Sequence, residues 1–138
     1  MRSLLSRRSR LLAGAYAVLG AANTGCVIRR SRAGQWATKP LLMPVLAAFS
    51  LTAAREEGTD VRLPAAGMIL GGLGDTALLA AEGSRHPDRW FLPGMGCFAA
   101  GHACYIAALV KDGAAGRVSP RAAAGYGAAG AILIAALW

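Results

Sequence analysis

An aspartate within a run of apolar residues is the most chemically loaded feature of this sequence. Asp75 stands in Gly74-Asp75-Thr76-Ala77-Leu78-Leu79. Near the centre of a bilayer such a residue costs about 2.5 to 3.5 kcal/mol on insertion scales, so it persists where a partner or a function compensates. His102 sits near the middle of another apolar run. Phe91, Gly94, Phe98, His102 and Tyr105 follow one another at spacings of three or four, which puts them on one helix face. Lys39 enters a third run from its polar end. A carboxyl and an imidazole that meet through a hydrogen bond or one water can exchange a proton, which makes them a candidate polar site within the apolar helices. A plainer reading stands beside each residue. Asp75 can serve as an interhelical hydrogen bond or ion pair, and His102 can bond a carbonyl inside a bundle. Lys39 can snorkel to the interface. Tyr105 and Phe98 can simply pack, although the Tyr105 hydroxyl also suits a water or a lipid head group.

The elements that must position these residues are hydrophobic helices. The chain has 138 residues, 55% hydrophobic and 16% charged, too little polar surface for a soluble domain of this size. Apolar runs recur between short charged clusters, at about residues 11–28, 36–54, 63–81, 90–110 and 122–138. Each is long enough to cross most of a roughly 30 Å hydrocarbon core, the second being shortest unless Lys39 snorkels. The expected fold class is therefore all-α, a single transmembrane helical domain of about five spans. The formal net charge of +8 does not point to nucleic acid, because the basic residues flank apolar runs instead of forming one patch with interleaved aromatics. They act as topology signals, but their bias between the two sides is too weak to fix orientation. Arg7, Arg8 and Arg10 ahead of the first run resemble the start of a cleaved or twin-arginine signal. The run continues to Ile28 and stops at Arg29, Arg30 and Arg32, which favours a retained helix. Cys26, Cys97 and Cys104 fall inside apolar runs without the paired spacing of a zinc site, and are read as small packing residues.

Helices three and four are antiparallel neighbours across a short loop, so Asp75 is expected level with about Cys97 or Phe98, with His102 about a turn deeper. Lys39 belongs to the same half of the bilayer as Asp75. Gly67 and Gly71, and Gly125 and Ala129, are spaced four apart and suit close helix approach. No phosphate-binding loop, nucleophile elbow or His-Glu-x-x-His motif occurs, so familiar soluble chemistries are unsupported.

Thr38-Lys39-Pro40-Leu41-Leu42-Met43-Pro44 opens one span and Gly74-Asp75-x-x-Leu78-Leu79 lies in the next. Phe91-x-x-Gly94-x-x-x-Phe98-x-x-x-His102-x-x-Tyr105-Ile106 fills the span after that. Three such motifs, in this order on successive spans, resemble the YhhN family, which includes the lysoplasmalogenases. The resemblance implies a multispanning hydrolase that cleaves the vinyl ether bond of lysoplasmalogens, releasing a fatty aldehyde and glycerophospho-ethanolamine or glycerophospho-choline. It casts Asp75 and His102 as catalytic, and Lys39, Tyr105 and Phe98 as substrate-binding. Asp75 would be an acid or base, His102 would orient it or the water, and Lys39 would neutralise charge or contact the phosphate. Family members usually carry about eight spans and a second acidic motif, typically Ser-Asp, in a later helix. This chain, with five, reads as a shortened or truncated member.

The expected partners are the lipid bilayer and a lysophospholipid-like substrate, in the cell membrane, with no nucleic acid and no cofactor or metal; a homo-oligomer is left open. Two other readings compete: a noncatalytic lipid-binding or small transport protein with a proton-linked Asp/His site, and an inactive bundle or fragment whose polar residues only fix helix pairing.

Overall fold

The computed structural model describes residues 6–116 and 119–137. It is all-helical among those residues: α1 (Arg7–Ile28), α2 (Arg32–Glu57), α3 (Arg62–Ala81), α4 (Asp88–Lys111), a 3₁₀ turn (Ala114–Gly116) and α5 (Pro120–Leu137). Residues up to Ala108 form one compact unit and those from Leu109 a second. Among the described residues α1 to α4 are long and apolar enough to cross a membrane. The fifth expected span falls on α5, an 18-residue helix several of whose side chains lie outside the described set. The helices run past the apolar stretches that announced them. α2, for example, begins at Arg32 and ends at Glu57, because polar flanking turns remain helical after the hydrophobic pattern has stopped.

What is buried in the first unit is small. Ala47, Ala54, Ala65, Leu79 and Ala108 form the buried apolar set, joined by Gly67, Gly72, Gly74, Gly94 and Gly101. Large apolar side chains such as Leu11, Val18, Ile28, Leu92 and Ile106 stay exposed. That inversion suits acyl chains as solvent: lipid gives no drive to hide leucine, and small residues let backbones approach. α3 carries the contrast on two faces. Gly72 meets Met43 of α2, where an added Cβ would come within 2.9 Å of the Met43 Cβ. Gly67 and Gly74 meet α4, where an added Cβ would lie 2.8 Å from the Tyr105 ring and 2.9 Å from the Phe98 ring respectively.

Side chains close the starts of α1 and α2. Ser6 caps α1, its hydroxyl accepting from the Ser9 amide at 3.2 Å. A capping box would place an acidic side chain at the position of Ser9. Here Glu56, from the last turn of α2, supplies it: its carboxylate accepts from the Ser6 amide at 3.0 Å and the buried Ser9 hydroxyl at 2.8 Å. The negative charge sits at the positive end of the α1 dipole and ties the start of α1 to the end of α2. At the opposite end, Arg30 adopts φ 52 while its amide donates to the Val27 carbonyl and that of Ser31 donates to the Cys26 carbonyl. This is the paired closure of a Schellman turn. Ser31 then caps α2 by accepting from the Gly34 amide.

Candidate functional site

Lys39, Asp75, Phe98, His102 and Tyr105 come from three different helices, and the fold brings them to one place. Asp75, Phe98, His102 and Tyr105 line a pocket of about 160 Å3 together with Met43, Gly67, Gly71 and Gly101. Lys39 stands at its edge, with Nζ 3.6 Å from Asp75 Oδ1 and both side chains roughly three-tenths exposed. Pockets that enclose a drug-sized ligand run to roughly 300 to 1,000 Å3, so this one suits a reacting group and a few waters while a longer chain lies outside it.

α2 delivers Lys39 just ahead of two interruptions. Pro40 and Pro44 lie inside the helix and lack the amides that would close its preceding turns. The Thr38 hydroxyl lies 2.8 Å from the Gly34 carbonyl oxygen and 3.0 Å from Asn23 Oδ1 of α1, which holds this stretch against its neighbour. On α4, His102 Nδ1 is 2.7 Å from the Phe98 carbonyl oxygen. A carbonyl only accepts, so Nδ1 carries a proton, which leaves Nε2 as the ring nitrogen that can accept one. The Tyr105 ring meets the imidazole edge-on, with centroids 6.3 Å apart at 85°. No hydrogen bond joins Asp75 to His102 among the described residues; they share the pocket and can be bridged through its contents.

The α3–α4 register differs from the expected one. A Cβ on Gly101 would lie 3.0 Å from the Gly67 carbonyl oxygen, and one on Gly94 would lie 3.3 Å from that of Gly74. The same positions would also lie 3.7 Å from the Gly71 amide nitrogen and 3.2 Å from the Ala77 Cβ respectively, so Asp75 is level with about Met95 or Gly96, within a turn of the expected Cys97 or Phe98. Convergence survives because side chains lean toward the N-terminus of their own helix. On antiparallel helices Asp75 and His102 lean toward each other. Phe91 is exposed and lies off the pocket. Sequence reasoning did not assign Met43 and Gly101 to the site, and it read Gly67 and Gly71 for packing only. Gly71 is informative: an added Cβ there meets nothing within 4 Å, so its missing side chain leaves pocket space rather than admitting a helix. Among the described residues no group of three or more His, Cys, Asp or Glu side chains is placed to hold a metal.

No curated protein and no solved structure matches the chain significantly. The sequence model of the YhhN family does match, over residues 34–138, a region that starts at the beginning of α2 and takes in every residue of the pocket. An apolar bundle of this length, matched by that model over most of its sequence, belongs to the YhhN family.

Proposed function

We propose that this chain is a lysoplasmalogenase-type hydrolase of the cell membrane, cleaving the vinyl ether of a lysophospholipid to a fatty aldehyde and a glycerophospho-alcohol. The observation that carries the reading is the convergence of Asp75, Lys39 and His102 on a small pocket within the region matched to the family. Cleavage requires a proton on the outer vinyl carbon, then a water on the resulting oxocarbenium carbon. Asp75 donates the proton from its protonated form, in which its pairing with Lys39 is given up. The carboxylate it leaves is stabilised by Lys39 and by the cation just formed, at short range in a medium of low dielectric. Water adds to the oxocarbenium while His102 Nε2 takes its proton, giving a hemiacetal. Collapse of the hemiacetal breaks the bond between that carbon and the glycerol oxygen: His102 returns its proton to the departing alkoxide, while the hemiacetal hydroxyl gives its own proton to the Asp75 carboxylate, which frees the aldehyde and restores Asp75. Phe98 and Tyr105 flank the alkenyl group, and the rest of its chain lies among the apolar helix surfaces.

The test is aldehyde release from a lysoplasmalogen by purified protein in detergent, beside the Asp75→Asn variant. A positioned acid or base contributes about 10² to 10⁴ in rate, so the variant should lose at least a hundredfold. Equal release from both proteins would remove Asp75 from the mechanism.

A further inference from the structure

The ion pair between Lys39 and Asp75 leaves open which group meets a substrate's phosphate, because Lys39 is already engaged. A second cation lies on the same face of α2. Arg32 precedes Lys39 by seven residues, two helical turns, and its Nη2 donates to the Leu79 carbonyl of α3 at 3.4 Å. Gly83 makes that position accessible: a Cβ there would collide with the Arg32 guanidinium. The guanidinium is therefore laid over the end of α3, one turn beyond Asp75, with donors to spare after the single bond to Leu79.

We propose that Arg32 is the residue that binds the phosphate of the lipid head group and so selects phospholipid over neutral substrates. The inference rests on the hydrolase reading for where the ether bond sits, and on covalent geometry for the rest. Five bonds separate the ether oxygen from phosphorus in a glycerophospholipid, an extended reach of about 6 Å. Asp75 and Leu79 are four residues apart, about 6 Å along the helix axis. A lipid with its ether bond at Asp75 places its phosphate at the end of α3, where the guanidinium fork suits phosphoryl oxygens. The surrounding end of the unit is rich in cations: Arg29, Arg30 and Arg85 lie in its two loops with Glu82, and Asp88 and Arg89 open α4.

Arg32→Gln separates this role from helix capping, since the glutamine amide can still donate to Leu79 while the charge is lost. The measurement is binding of two non-cleavable ligands, a 1-O-alkyl lysophosphatidylethanolamine and the matching 1-O-alkylglycerol, to wild type and variant in nanodiscs. Wild type should prefer the phospholipid, and the variant should lose about tenfold in affinity for it, as for one charge-assisted contact, with alkylglycerol binding unchanged. Equal weakening for both ligands would assign Arg32 to capping alone, and no change for either would exclude it; both results overturn the proposal. Aldehyde release measured on the same preparations keeps the two readings apart: preserved Arg32-dependent binding without release would refute hydrolysis and leave the phosphate site standing.

Discussion

At the scale of single residues, the glycines of α3 make the sharpest distinctions. Gly67→Ala forces a methyl to within 3.0 Å or less of the Tyr105 ring and the Gly101 carbonyl. It should lower the melting temperature in detergent, as overpacking of a close contact typically costs about 1 to 3 kcal/mol. Gly71→Ala meets no neighbour within 4 Å and removes a helix-interior glycine, so stability should hold or rise by up to about 1 kcal/mol. Gly71→Leu would fill the pocket between Asp75 and His102 and should abolish aldehyde release while the melting temperature stays near that of wild type. Loss of folding in Gly71→Leu, or full activity, would contradict the placement of the pocket. Asp75, His102 and Lys39 were legible in the sequence because a charged or polar side chain in an apolar run stands out by its insertion cost. Met43, Gly71 and Gly101 were not, since in a chain with 18 glycines no local signal separates a packing glycine from one that leaves space.

At the scale of elements, hydropathy located the helices but not their ends or register. Capping residues decide the ends. Ser6→Ala should destabilise the α1–α2 hairpin by about 1 kcal/mol, the usual value of an N-cap, read as a lower melting temperature with the aldehyde-release rate per folded molecule unchanged. The carboxylate partner of that cap comes from Glu56, 47 residues away from Ser9, so a capping box sought within α1 alone could not reveal it. The α3–α4 register escaped the sequence for a related reason. Loop length sets antiparallel order, whereas the close approach of Gly101 to Gly67 and of Gly94 to Gly74 and Ala77 sets the level, within a turn of the expected one. The lean of side chains toward their own N-termini absorbs the small difference, so Asp75 and His102 still line one pocket.

At the scale of the molecule, a lipid solvent explains both the inverted burial and the location of the site. The unit up to Ala108 buries mostly alanine and glycine, leaves large apolar side chains such as Leu92 and Ile106 exposed, and brings Lys39, Asp75 and His102 from α2, α3 and α4 to one site. An amphiphile aligned with the bilayer would meet arginines first, then the Lys39–Asp75 pair, then apolar helix surface, the order in which phosphate, ether and alkyl chain follow one another. The most direct test of this account is the position of solvent hydrogen in the product. With a lysoplasmalogen turned over in D₂O and the aldehyde trapped at once for mass spectrometry, wild-type protein should yield aldehyde carrying one deuterium on the carbon next to the carbonyl, and Asp75→Asn almost no aldehyde. Aldehyde without that deuterium, or none from well-folded wild-type protein, would contradict proton delivery to a vinyl ether in this pocket.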